Sequence, residues 1–144
     1  MMLRALAEWL AALPPLAPYA ADGLRTGTAA AKPGCALCDG GTAVGVTDIS
    51  GRRTEARRYT LYVRAVCLRE AEYAALAEAC GQTAECIAAA DEAGALPALP
   101  APYAADALRC TGLRLREADD SGLATYELAL LFTYTGPESP AEKG

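Results

Sequence analysis

Six cysteines, Cys35, Cys38, Cys67, Cys80, Cys86 and Cys110, are the residues of this chain best suited to chemistry, and there is no histidine to assist them. Cys35-Ala36-Leu37-Cys38 has the spacing of half a tetrahedral zinc site. Such a site is closed by a second CxxC or by CxxH, and the sequence holds neither. A redox dithiol of the same spacing needs a helix starting at its second cysteine to lower the thiol pKa, and none is predicted there. Cys67, Cys80 and Cys110 fall on apolar stripes, where cysteine acts as a small hydrophobe. The expectation is therefore reduced thiols and no bound metal, with Cys35 and Cys38 as the only candidate ligands.

Without histidine the commonest general base is missing, and no GxSxG, SxxK or phosphate-cradling glycine string is present. Asp119-Asp120 is a carboxylate pair, but a predicted hairpin tip lacks the burial that shifts a carboxyl pKa. The sequence predicts no enzyme and no cofactor. A net charge of −5 also argues against binding nucleic acid through phosphate neutralisation, which needs excess Lys and Arg. The arginines are nevertheless clustered, at Arg52, Arg53, Arg57, Arg58 and Arg64. Either they line a solvated strand face balanced by carboxylates, or they meet an acidic partner, with Arg52, Arg53, Arg57 and Arg58 as interface candidates.

The elements that position these residues follow from hydrophobic periodicity. From Leu123 to Thr135 the even positions Tyr126, Leu128, Leu130, Phe132 and Tyr134 are apolar or aromatic, a period of two that predicts a strand with one buried face. Leu108 to Arg116 reads as a strand pairing with it through the loop 118–122, and Gly112 marks a bulge where the apolar register shifts. Arg57 to Cys67 alternates in the same way and extends the sheet. Thr42 to Thr47, with the turn Asp48-Ile49-Ser50-Gly51, makes a hairpin with it whose tip is basic and exposed. Residues 26–41, rich in Gly, Ala and Thr, read as loop or irregular edge strand.

Leu3, Leu6, Trp9, Leu10 and Leu13 share one stripe and predict a helix over 2–13, ended by Pro14-Pro15. A helical pattern runs from Leu68 to Ala93, split at Gly81-Gln82-Thr83 and closed by Gly94. The string Ala17 to Arg25 returns as Ala101 to Arg109 with only Gly23 changed, to Ala107. The chain is thus either two helix-linker-strand units side by side or one linker reused in an alanine-rich composition, and in both cases Tyr19 and Tyr103 pack where a helix hands over to the sheet.

Together these readings predict an α/β (α+β) fold: a mostly antiparallel sheet of about four to five strands with two or three helices on one face. Residues 1–135 form a single α+β domain, and 136–144 a disordered tail. Trp9 to Ala21 holds three prolines and is too short to span a membrane. The N-terminus imitates a secretory signal, but Glu8 interrupts its apolar run and the cleavage-like Ala-Pro-Tyr-Ala recurs internally.

The order of these segments resembles the small tail-completion proteins of long-tailed bacteriophages and prophages, called tail terminator or minor capsid proteins. The likeness is carried by the N-terminal Leu/Trp helix and the turn Asp48 to Gly51 leading into Arg57-Arg58-Tyr59-Thr60-Leu61-Tyr62-Val63-Arg64. The helix exit Glu92-Ala93-Gly94-Ala95-Leu96-Pro97 and the closing Ala124-Thr125-Tyr126-Glu127-Leu128 with Phe132-Thr133-Tyr134 complete it. The resemblance implies a non-enzymatic virion protein, made in the bacterial host cytoplasm, that forms a ring of six copies at the head-proximal end of the tail tube. Its implied partners are itself, the tail tube protein and the head-tail connector, with no sequence-specific nucleic acid, membrane or cofactor. The competing class is a small cysteine-bearing binding or adaptor module, with or without a stabilising zinc.

Overall fold

The computed structural model of the protein describes residues 2–21, 23–26, 33–116 and 120–137. Among them are two helices, α1 (Met2–Ala11) and α2 (Glu70–Ala93), and five strands: β1 (Leu24–Thr26), β2 (Gly34–Thr47), β3 (Arg52–Val66), β4 (Ala104–Arg116) and β5 (Leu123–Pro137). The strands form one sheet in the order β1-β2-β3-β5-β4. β1 runs parallel to β2, and every other pairing is antiparallel. This is the α+β architecture that the alternating strands and amphipathic helices predict.

The period of two decides which face the helices cover. Tyr59, Leu61 and Val63 of β3 stand opposite Leu130, Leu128 and Tyr126 of β5. They join Cys35 and Leu37 of β2 and Leu108 of β4 in one buried cluster with Leu6 and Leu10 of α1 and Leu76, Cys80 and Ile87 of α2. Both helices therefore lie on the same side. Each fully buried Leu, Ile or Phe removes apolar surface worth about 1.5–3 kcal/mol, which makes this shared face the main source of stability.

Three sequence expectations need correction. Of the two readings of residues 26–41, loop or irregular edge strand, residues 34–41 take the strand, but its first residues are not at an edge, because they pair with β1 on one side and β3 on the other. The two partners satisfy the backbone where Gly, Ala and Cys side chains offer little strand propensity. The helix over 70–93 is unbroken at Gly81. Thr83 does not start a new helix there: its hydroxyl donates to the Ala79 carbonyl at 2.7 Å, within the turn, and the side chain is buried. Strand β5 continues through Gly136 and Pro137, opposite Arg53 and Arg52, so the boundary expected at 135 falls too early; residues 138–144 lie outside the described residues.

Other expectations hold. Gly94 ends α2 at φ 72°, the left-handed conformation that glycine adopts without a Cβ clash. At the helix start, Glu72 accepts from the backbone N–H groups of Leu68 and Arg69, both at 3.0 Å. The register of β4 against β5 shifts between Cys110 and Gly112, as the apolar pattern indicates. Tyr19 and Tyr103 both pack against the core at helix-to-sheet transitions; the Tyr103 ring lies edge-on to Tyr134 at 6.5 Å, over Gly136, where a Cβ would collide with it. The duplicated linkers lead α1 into β1 and α2 into β4, which are opposite edges of the sheet, so the two units do not sit side by side.

Candidate functional site

The feature that stands out from the covered core is the distal half of the β2–β3 hairpin. Its turn is built by Asp48, whose Oδ1 accepts from Ser50 N at 2.9 Å, Ser50 Oγ at 2.6 Å and Arg52 N at 3.0 Å. These donors, the Ser50 hydroxyl first, hold the Asp48 carboxyl below the usual carboxylate range. Gly51 supplies the positive φ, 87°, that closes the turn. Val44 and Val46 are each 59% exposed, and Ile49 is fully exposed at the tip. These three side chains make an exposed apolar row along the hairpin.

Alternation along β3 divides the arginines. Arg53 and Arg57 point to the helix side of the sheet, beyond the helices, with Glu55 between them. Arg57 Nε lies 2.9 Å from both carboxylate oxygens of Asp39, and its Nη1 lies 3.1 Å from Glu55 Oε2. Arg53 Nε reaches Glu55 Oε1 at 3.3 Å, and Tyr134 donates its hydroxyl to Glu55 Oε2 at 2.8 Å. Partial burial by itself would raise the Glu55 carboxyl, but donation from Tyr134, Arg57 and Arg53 outweighs it and leaves Glu55 below its ordinary value. Asp39 follows the same balance: burial raises it, and Arg57 together with the Gly41 N–H lowers it further. The network ties β2, β3 and β5 together at the base of the hairpin, so Arg53 and Arg57 are committed within the fold.

Arg52 and Arg58 point to the other face and are exposed. Of the four interface candidates, these two have guanidinium groups available to a partner, although Arg58 Nη1 also donates to the Thr42 carbonyl at 3.3 Å. Arg64, on the same face as Arg58, is buried, with its guanidinium 4.8 Å from the Tyr62 ring centre and Nη1 without a hydrogen-bond partner among the described residues. The basic tip expected from the sequence is thus two residues on the open face and two locked on the other. The carboxylates that do the locking were readable in principle: in Arg53-Thr54-Glu55-Ala56-Arg57 the charges alternate in sign at the strand period.

The cysteines are dispersed. Cys35 and Cys38 are three residues apart in a strand and so point to opposite faces, which prevents them from gripping one ion. Cys35 is buried, donates its thiol to the Tyr19 carbonyl at 3.4 Å, and has its pKa pushed up to about 12 by burial, with Arg25 opposing. Burial also pushes the Cys80 thiol up to about 12 and raises Cys67 and Cys110. Such thiols are poor nucleophiles and poor metal ligands at neutral pH. Among the described residues no three Cys, Asp or Glu side chains gather as metal ligands, and Asp119 of the carboxylate pair lies outside them.

No protein-family model and no curated protein matches this sequence. Among solved structures, the chain is similar to one described as "Virion of native gene transfer agent (GTA) particle", with a TM-score of 0.62. The match covers 93% of this chain and 95% of that one at 15% identity, so what the two share is the fold, from end to end.

Proposed function

We propose that the protein is a non-catalytic structural component of a phage-like virion, a tail terminator that forms a ring at the head-proximal end of the tail tube. The observation that carries this reading is the fold match to a virion chain over nearly the whole length of both. Two features accord with it: the ordered likeness of four segments to tail-completion proteins, and a two-layer domain with one sheet face free of helices and an exposed apolar hairpin tip. Closed rings satisfy such surfaces, because heterologous contacts that would otherwise propagate end when the ring closes. The tail tube and head-tail connector proteins are the partners in this reading. The rival adaptor module loses its zinc site to the strand geometry of Cys35 and Cys38.

The test is removal of the gene from its phage or prophage, with complementation, followed by electron microscopy of the particles. Overlong or headless tails are expected without the protein and normal tails on its return. Normal tails of normal length in its absence would overturn the assignment.

A further inference from the structure

The charges of this chain are sorted by layer. α2 carries Glu70, Glu72, Glu78, Glu85, Asp91 and Glu92 and no lysine or arginine. Glu78, Glu85 and Glu92 recur every seven residues, which on a helix keeps them on one stripe. That stripe lies opposite the buried one of Leu76, Ala79, Cys80, Thr83 and Ile87, and all three carboxylates are exposed. Between them the outward surface is Gly81, Gln82, Ala88 and Ala89, with Gln82 Nε2 donating to Glu78 Oε1 at 3.2 Å.

The helix-free face of the sheet has the opposite character. There Arg114 of β4 pairs with Glu127 at 3.4 Å, and Arg109 reaches Asp91 of α2 at 3.9 Å, which leaves Arg52 and Arg58 on β3 as the exposed arginines not paired with a carboxylate among the described residues. Between these arginines lie Val44, Val46, Thr54, Ala56 and Ala129, most of them exposed and all small or branched. The acidic stripe from Glu78 to Glu92 is about 21 Å long at 1.5 Å per residue. Arg52 and Arg58 on β3 stand about 20 Å apart at 3.3 Å per residue. The two surfaces match in length and in sign.

The sheet edges are less suited to joining copies. Beyond the three residues that β1 covers, β2 is open at the edge and carries two register shifts, at Asp39/Gly41 and Thr42/Val44, and the other edge strand, β4, carries two, at Ala105/Ala107 and Cys110/Gly112. Asp91 of α2 also takes the Leu108 N–H on β4 at 3.0 Å. Bulges and a carboxylate at the edge are devices that block strand addition. We infer that copies of this chain associate face to back, the Glu78–Glu85–Glu92 surface of one α2 docking on the Arg52/Arg58 face of the next copy's sheet. The inference rests on the ring reading above and names the surfaces that would build the ring.

The experiment compares four full-length chains by light scattering and native mass spectrometry, with circular dichroism to verify folding: wild type, Glu78→Lys/Glu85→Lys/Glu92→Lys, Arg52→Glu/Arg58→Glu, and all five changes together. Each one-sided reversal should weaken self-association at least about tenfold, and the five-fold variant should recover the wild-type mass, because sign complementarity returns. If one-sided reversals assemble as wild type does, the inference fails while the ring reading stands. If they dissociate and the combined chain does not recover, the two surfaces do not meet and the inference also fails. A wild type that stays monomeric up to about 1 mM, where even a contact of roughly −4 kcal/mol is visible, overturns it as well; tail length judges the ring reading separately. Binding of duplex DNA that Arg52→Glu/Arg58→Glu abolishes without changing the oligomer mass would assign the basic face to nucleic acid instead.

Discussion

At Arg57 and Arg58, adjacent residues of one strand point to opposite faces, so the same substitution has unequal consequences. Arg57→Glu would set a third carboxylate against Asp39 and Glu55 and remove the donor both of them use. The Arg57 side chain is 31% exposed, so solvent screens part of the penalty, and a loss of about 2 kcal/mol is expected. Arg58→Glu replaces an exposed strand-face charge and should stay within about 0.5 kcal/mol of wild type. Urea unfolding followed by circular dichroism separates the two. Equal midpoints would mean that the Asp39–Arg57–Glu55 network contributes nothing to the fold. Residue by residue, the sequence located the arginines and the period that sorts them, but the register that brings Asp39 to Arg57 and Tyr134 to Glu55 joins distant parts of the chain.

At the scale of elements, α2 shows how a local signal is overridden. Gly81 followed by Thr83 reads as a C-cap and an N-cap, yet the helix runs through both because its buried stripe continues from Leu76 to Ile87 across the junction. The hydrophobic face then stabilises one long helix by more than a single internal glycine costs, about 1 kcal/mol. The two glycines of this region should therefore respond in opposite directions. Gly81→Ala, where a Cβ meets nothing within 4 Å, should raise stability by about 0.5–1 kcal/mol. Gly94→Ala, at φ 72°, should lower it by about 1 kcal/mol. Thermal denaturation of the two variants measures this; a destabilising Gly81→Ala would mean that the helix is broken there after all.

At the scale of the whole molecule, burial and pairing confine stability to a pH window. Asp39 and Glu55 have folded pKa values depressed below 3.8 and 4.5, so their contribution is complete above that range and is lost as pH falls through the folded values. Cys35 and Cys80 act in the other direction. Their thiols are raised from 9.0 to about 12, so their contribution is complete below pH 9 and is lost as the solution approaches pH 12. Stability should be flat between about pH 5 and 9 and fall on both sides. Cys35→Ala with Cys80→Ala should make the alkaline limb shallower, leaving the part due to Tyr59 and Tyr134, whose hydroxyls burial also raises. An unchanged alkaline limb in that variant would mean that these thiols are not what the fold protects from ionisation.

What the amino-acid order determined by itself is everything governed by short-range periodicity: three of the four long strands, the amphipathic helices on a common face, the Asp48 turn, the Gly112 bulge and the Gly94 cap. Each depends on residues within a few positions of one another. Tertiary structure alone decided the rest. Cys35 and Cys38 became strand residues on opposite faces because β3 pairs along the whole of a segment with little strand propensity of its own, and β1 along its first residues. The division of the arginines into a locked pair and an open pair was likewise set by strand register. So was the separation of an acidic helix layer from a basic sheet face, since charge sorting in space follows from which faces pack together, a choice made by apolar burial and not by the charges themselves.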